Sequence, residues 1–331
     1  MIIPAWNASE TLCRCLDALK RQTMPPLETV VVDDGSSDTT AELARSYGVR
    51  VIPLSGKMGP ALARNEGVFA ASGEIALFVD ADVVVPENLV ERIAGLLSDP
   101  SVAGVQTLYA PDCPGEGLIT TYQNFYYHHS LARMRPGGVA VFATWCAAVR
   151  RDVFLELGGF NTNVPEPTVE DEELGYAIAD SGRVILLEKS LQVTHLAEYT
   201  FGTFAGRRLR MAVAQAKSGW RQVKQRLLAR YMNVHETGTH HSRWVVLSIL
   251  ITFLAWLSPL SMLFTGPAGL LLFPALLFLA LLCHWSFFAS AVKRFGWRVF
   301  PGFAVMCITD MTILGFGIIR GTLEYLSGKH Y

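Results

Sequence analysis

The sequence predicts an α/β domain, a mostly parallel sheet with helices on both faces, followed by interfacial helices and about three transmembrane helices. Short apolar runs alternate with helix-length segments over residues 1–200, the pattern of a parallel sheet built from βαβ units. Acidic residues follow two of those runs directly, at the position where open α/β sheets bind ligands. Three long apolar stretches then close the chain of 331 residues, so its two parts differ sharply in character.

Met1–Pro4 reads as a strand, Ser9–Arg21 as an amphipathic helix and Glu28–Val32 as the second strand. Thr39 with Glu42 three residues on has the form of a capping box, opening a helix that ends near Gly48. The strand Val49–Leu54, a helix over Pro60–Ala71 and the strand Glu74–Val79 follow. A helix from Pro86 to Leu97 completes the array, with Pro86 at its first position.

Asp80-Ala81-Asp82 comes straight after the run Glu74–Val79. In an extended chain, residues i and i+2 point the same way, so both carboxylates can meet one ligand. Two adjacent hard oxygen donors suit Mg²⁺ or Mn²⁺ completing its shell with water and phosphate oxygens, the chemistry of a nucleotide or nucleotide-sugar pocket. Pro86 at the first helical position puts Val85 at the cap, which argues against a capping role for these acids.

Asp33-Asp34-Gly35-Ser36 ends the second strand, and Gly35 permits the turn that brings Asp33 or Asp34 to the crevice at the strand ends. A carboxylate there accepts hydrogen bonds from a base N–H or ribose hydroxyls; turn formation is the competing role. Thr168 precedes a third cluster, Glu170-Asp171-Glu172-Glu173 after Val169. Acids in a helix's first turn each contribute about 0.3–1 kcal/mol through the macrodipole. A helix start facing a pocket can equally hold a general base, and spacing alone does not separate the two.

Trp244–Thr265, Pro267–Ser290 and Val299–Ile319 each have about the 20 residues that a bilayer crossing needs. Only the third holds an acid, Asp310. A net charge of −1 hides the stretch Phe204–Arg230, which carries Arg207, Arg208, Arg210, Lys217, Arg221, Lys224, Arg226 and Arg230 with no acid. Apolar residues such as Leu209, Trp220 and Leu227 interleave, a pattern suited to helices lying on an anionic membrane surface, and the neighbouring apolar tract favours lipid over nucleic acid. Cations flank the first and third stretches but not Thr265-Gly266-Pro267, which places the soluble domain in the cytoplasm. Cysteines 13, 15, 113, 146, 283 and 307 lack paired zinc-ligand spacing and read as reduced structural thiols. The expected domains are thus a nucleotide-sugar-binding domain over 1–200, a basic amphipathic interfacial segment over 201–243 and a transmembrane region over 244–331.

Ile2-Ile3-Pro4-Ala5-Trp6-Asn7, the Asp33–Ser36 turn, Gly59-Pro60-Ala61-Leu62-Ala63-Arg64-Asn65, Asp80-Ala81-Asp82, Gly158-Gly159-Phe160 and Glu170-Asp171 occur in an order and spacing that resemble a family-2 glycosyltransferase over residues 1–195. The resemblance implies a GT-A fold, a nucleotide-diphosphate sugar donor and transfer that usually inverts the anomeric carbon. It implies Pro4, Asp34 and Arg64 as nucleotide-binding residues, with Asp33 close by. Asp80 and Asp82 match the metal and diphosphate motif, Asp82 being the stronger candidate for metal contact; Asp171 matches the catalytic base, with Glu170 its neighbour. His195 falls where many relatives carry a histidine near the acceptor or diphosphate, although a satisfied structural histidine fits the sequence as well. Trp145 either stacks on a sugar face or fills core, and the loop Pro136–Thr144 is expected to bear on sugar choice.

Two departures shape the reading. The first strand starts at Met1, shorter than relatives usually show, and the Gln-x-x-Arg-Trp motif of processive synthases is missing: residues 222–226 read QVKQR, and Arg243-Trp244 has no glutamine three residues before the arginine. The expectation is a membrane-anchored, metal-dependent, inverting enzyme moving a single sugar to a lipid-linked or membrane-proximal acceptor, similar to polyprenyl-phosphate and other lipid glycosyltransferases. A processive polysaccharide synthase is the alternative enzyme. A catalytically silent sugar-nucleotide-binding scaffold is the alternative class, against which the retained Asp34, Asp80, Asp82 and Asp171 argue. The donor base, the sugar, the acceptor and the oligomeric state are not written in the sequence.

Overall fold

A computed structural model describes residues 1–112, 114–134, 137–164, 168–224 and 243–331 of the chain. The expectations placed on Cys113, Pro136, Leu227, Arg226 and Arg230 lie outside the described residues. The described chain divides into two compact units.

The first unit is built on β1 (Ile2–Ala5), β2 (Val30–Asp33), β3 (Arg50–Pro53), β4 (Ile75–Val79), β5 (Val83–Val84), β6 (Val102–Tyr109), β7 (Gly138–Val139), β8 (Cys146–Arg150) and β9 (Val184–His195). Helices α1 (Ser9–Lys20), α2 (Thr40–Ser46), α3 (Pro60–Ala70) and α4 (Leu89–Leu96) connect the early strands, and α6 (Arg151–Glu156) and α7 (Glu170–Asp180) lie between β8 and β9. The strand order is β3-β2-β1-β4-β8-β6-β9-β5, with β7 beside β9. β1 pairs in parallel with both β2 and β4, so successive crossovers leave it in opposite directions and open a crevice at the carboxyl ends of these strands. Ile2, Ile3, Val30, Val31, Val32, Phe78 and Val79 are buried beneath that crevice. A Cβ added at Gly67 of α3 would stand 2.4 Å from Ile2 Cγ2, so the helix rests directly on β1.

Beyond β4 the sheet departs from the expected parallel order. β8 runs antiparallel to β4 and β6, whereas β6 and β9 are parallel, making the whole sheet mixed. One helix start differs from expectation, and α2 starts after Thr39 as expected but without the expected side-chain cap bond. α4 begins at Leu89 with Asn88 before it; Pro86 stays outside, its carbonyl accepting from Gln22 Nε2 at 2.8 Å and from the Leu89 N–H. Thr39 caps nothing with its side chain, because Asp38 Oδ1 accepts the Thr40 N–H at 3.1 Å and the Thr40 hydroxyl as well.

The second unit holds most of α5 (Leu118–Ala132), α8 (Phe201–Lys224), α9 (Arg243–Leu257), α10 (Leu272–Leu282), α11 (Trp285–Phe295) and α12 (Phe300–Leu326). Leu118–His129 belongs to it, although those residues fall inside the expected 1–200 domain. Its core is aromatic: Tyr122, Phe125, Phe287 and Phe303 pack ring against ring. Trp244–Ser261 and Trp297–Leu326 are long and apolar enough to cross a membrane. The middle stretch, expected as a crossing, bends by 71° between Gly269–Leu282 and Trp285–Phe295. At the bend His284 pairs with Ser248 Oγ at 3.0 Å, and the helix beyond ends on Lys293 and Arg294.

α8 runs alongside α12. Arg208 is 4% exposed and donates through Nε and Nη2 to Asp310 at 2.6 and 2.8 Å, while the Tyr122 hydroxyl donates to the same carboxylate at 3.3 Å. Lys217 reaches Glu324 at 2.6 Å. A Cβ on Gly321 would lie 2.4 Å from the Val213 carbonyl oxygen, so the absent side chain is what lets the helices meet. Two of the cations expected to face lipid headgroups are therefore turned inward onto acids of α12. The five described cysteines are free.

Burying an ion pair makes the removal of one partner more harmful than the removal of both. Asp310→Leu is expected to destabilise the protein by about 3–5 kcal/mol by leaving Arg208 unpaired, with the double variant Arg208→Met, Asp310→Leu recovering most of the loss. Thermal unfolding in detergent measures this; equal losses in single and double variants would show that the pair is not the source.

Candidate functional site

Pro60 opens α3 at its first helical position after Gly59, and about one turn later consecutive side chains split their work. Asn65 clamps the Gly158-Gly159-Phe160 loop, donating from Nδ2 to the Phe160 carbonyl and accepting the Phe160 N–H on Oδ1, both at 2.9 Å. Gly159 has φ +72°, and a Cβ there would sit 2.8 Å from Asn65 Oδ1, so this loop needs its glycine twice over. Arg64, 4% exposed, donates from Nη2 to Asp80 Oδ1 at 2.9 Å and from Nη1 to Glu170 Oε1 at 3.1 Å.

Asp80 and Asp82 lie near each other, but on a turn rather than in the expected extended chain. The chain turns as it leaves β4, the Val83 N–H reaching back to the Asp80 carbonyl at 3.1 Å, and extended geometry ends there. Asp80 meets Arg64, while Asp82 Oδ2 stands 3.3 Å from His195 Nε2. Burial raises the Asp80 carboxyl above its ordinary range, with Arg64 opposing and Asp82 adding to the rise. β5 holds His195 in place through the Val83–His195 register, and the Leu196 N–H donates to the Asp82 carbonyl at 2.8 Å.

Glu170 and Asp171 open α7. Glu170 is 3% exposed and its second oxygen accepts the Thr168 N–H at 2.8 Å. Asp171 Oδ1 accepts the Glu172 N–H at 2.8 Å, and Oδ2 lies 3.4 Å from the Thr144 nitrogen. Burial, with Glu170 and Glu172 alongside, pushes the Asp171 carboxyl well above its ordinary range against the pull of Arg64. The next residue, Trp145, accepts the Asp80 N–H on its carbonyl at 3.0 Å. Asp171 and Asp80 are thus linked twice, through Glu170 and Arg64 and through Thr144 and Trp145. The Trp145 ring is buried and stacks on Tyr109 at 4.5 Å, which stacks in turn on His195 at 4.8 Å.

On the other side of β1, Asp34 gives both carboxylate oxygens to the next loop, accepting the Met58 N–H at 2.6 Å and the Gly59 N–H at 2.9 Å. Asp33 Oδ1 accepts the Ser36 N–H at 3.1 Å. Both aspartates are buried and both do turn work, while half-buried Pro4 lies opposite Val32 in the sheet. Lys57 stands 3.2 Å over the half-exposed Trp6 ring, where three loops converge. Tyr109 and Lys57 escaped the reading of the sequence, and Thr144 entered it only as the end of a loop. Tyr109 ends an apolar strand like any core aromatic, and Thr144 and Lys57 act through fold contacts that leave no spacing signal.

Among the described residues no group of three or more His, Cys, Asp or Glu side chains gathers around a common point. Asp82, whose carboxylate is a hard oxygen donor, suits a divalent ion that takes most of its shell from diphosphate oxygens and water, the usual manner of Mg²⁺ and Mn²⁺, while Asp80 is held by Arg64.

An acid-lined crevice at the switch point of a mixed sheet defines a nucleotide-sugar-binding fold of GT-A type. The Glycosyl transferase family 2 profile matches residues 1–158, and the chain carries a glycosyltransferase domain of that family. It is 34% identical to the glycosyltransferase GlyG of Streptococcus pneumoniae over 28% of this chain and 33% of that protein. It is 29% identical to the O-antigen chain rhamnosyltransferase RfbN of Salmonella typhimurium over 60% of this chain and 67% of that one. The chain spans 33%, 55% and 28% of the length of three curated relatives that it matches. Its fold is similar to that of the mannosyltransferase PcManGT from Pyrobaculum calidifontis, solved with GDP-Man and Mn²⁺, at a TM-score of 0.62 and 19% identity, covering 99% of this chain and 86% of that one.

A carboxyl raised by burial and by like charges weakens the fold wherever it is ionised. Above its raised folded value Asp171 carries that penalty; as pH falls through that value toward the ordinary 3.8, protonation removes it. Asp171→Asn is therefore expected to melt higher than the parent at pH 7, by about 2–4 °C for each kcal/mol relieved. The advantage should shrink as pH is lowered, and calorimetry across pH 4–8 reads it; a variant less stable than the parent at pH 7 would contradict the raised value.

Proposed function

We propose that this family-2 glycosyltransferase moves a single sugar, with inversion, from a nucleotide-diphosphate sugar to a lipid-linked or membrane-proximal acceptor, its catalytic domain on the cytoplasmic side of a membrane that its apolar helices enter. The observation that carries the reading is the double link between Asp80 and Asp171, which keeps an acid of raised proton affinity beside the acids suited to a metal-bound diphosphate. Asp171 is the base: it takes the acceptor hydroxyl's proton as that oxygen bonds to the anomeric carbon. The bond from that carbon to the diphosphate oxygen breaks on the opposite face, and the nucleoside diphosphate leaves. Glu170 orients the base, Asp82 with Asp80 beside it would hold a divalent ion, His195 lies against Asp82 on the diphosphate side, and Pro4, Asp33 and Asp34 shape the nucleoside side. An ion bound there offsets the charge developing on the diphosphate. Trp145 fills the wall between the two links.

The acceptor assignment draws on the candidate membrane helices, on the missing Gln-x-x-Arg-Trp motif and on the likeness to an O-antigen chain rhamnosyltransferase. A mannosyltransferase of similar fold was solved with Mn²⁺, which makes that ion the first choice for assay.

A thermal-shift screen of nucleotide sugars with Mn²⁺ identifies the donor, because a ligand that binds only the folded state raises stability by RT ln(1 + [L]/Kd). Asp82→Asn is expected to abolish the metal-dependent part of that shift. Asp171→Asn should leave the shift intact and lower turnover by about 10²–10⁴-fold. A ladder of oligosaccharide products would replace single transfer by chain synthesis, and near-parent turnover of Asp171→Asn would remove the base assignment.

A further inference from the structure

We infer that Arg64 is a positioning residue rather than a nucleotide ligand: its guanidinium ties the turn after β4 to the first turn of α7 and thereby aims Asp171. The inference rests on the base role proposed for Asp171. Family resemblance puts Arg64 among nucleotide-binding positions, yet the side chain is 4% exposed and both terminal nitrogens are committed, Nη2 to Asp80 and Nη1 to Glu170. Nε is buried with no hydrogen-bond partner among the described residues. The Phe160 ring lies 5.9 Å from Cζ, on the loop that the adjacent Asn65 clamps from both sides. The fork is therefore held by two carboxylates and one ring before any ligand arrives.

A diphosphate could claim this guanidinium only by drawing it from Asp80 or Glu170. Glu170 is 3% exposed, its other oxygen already spent on the Thr168 N–H, so losing Arg64 would leave a buried carboxylate without its cation. Four acids occupy the first turn of α7, and Arg64 bonds to the first of them. Asp171 follows Glu170 directly, so the angle at which the base enters the crevice is set by where Glu170 is fixed. A guanidinium spans two carboxylates with separate N–H groups, which the point charge of a lysine cannot match.

Arg64→Lys, Glu170→Gln and the double variant test this in the full-length protein. Hydrogen exchange of the α7 amides of Glu170–Glu173 needs no substrate, and both single variants are expected to accelerate it by about tenfold. Titration with GDP and UDP in the presence of Mn²⁺ should give dissociation constants within about twofold of the parent, while kcat with the donor found by screening falls about 10–100-fold. The double variant should be no slower than the worse single, as expected when two residues act through one contact. Glu170→Gln keeps the size of the side chain and an acceptor for Thr168, so it reads the tie even where Arg64→Lys folds poorly. Unchanged exchange in α7 overturns the inference, as does a loss of nucleotide affinity in Arg64→Lys that accounts for its whole loss of kcat/KM. Faster exchange in a protein that binds no nucleotide sugar would overturn the proposed reaction and leave the tie standing.

Discussion

Four carboxylates, those of Asp80, Asp82, Glu170 and Asp171, line one crevice, and the arrangement holds because a buried cation stands among them. Like charges brought together out of water raise each other's proton affinity and push their elements apart. Arg64 takes up the charge of one acid from the sheet and one from the helix, so repulsion that would splay α7 from β4 becomes attraction across the same gap. Asn65, one residue on, fixes the loop that carries Phe160 beneath it. A two-residue step on α3 thus secures three separated stretches of chain.

The parallel half of the sheet was legible because each strand there is followed by a helix of its own, and β1, β2, β3 and β4 each leave a short apolar run in the sequence. The antiparallel β8 was not: Cys146–Arg150 is a five-residue run whose direction depends on the gap between β4 and β6. Helix ends failed for a similar reason. Thr39 and Pro86 satisfy local rules, but Asp38 and Gln22 offer better partners in the folded chain. In the second unit hydropathy found the apolar stretches and missed the bend at His284, a residue whose partner is a serine 36 residues earlier.

The acids of the crevice were visible as types and invisible as arrangements. Adjacent Asp80 and Asp82 suggested a shared target, yet a turn sends one to Arg64 and the other to His195. Asp33 and Asp34 read as ligand contacts or as turn formers, and their bonds to Ser36, Met58 and Gly59 show the second role in full. The basic stretch was counted as charge facing lipid, but a count cannot show that Asp310 and Glu324, a hundred residues on, draw Arg208 and Lys217 inward.

The pairing of Arg208 with Asp310 also bears on how the chain is made. The two lie 102 residues apart, the cation first. On a ribosome releasing the chain from its N-terminus, α8 is complete well before α12 emerges. The carboxylate of Asp310, costly to leave in a hydrocarbon layer, is born into a chain whose counter-charge is already present. The opposite order would leave a lone acid in an apolar helix waiting for its partner while the segments between were synthesised.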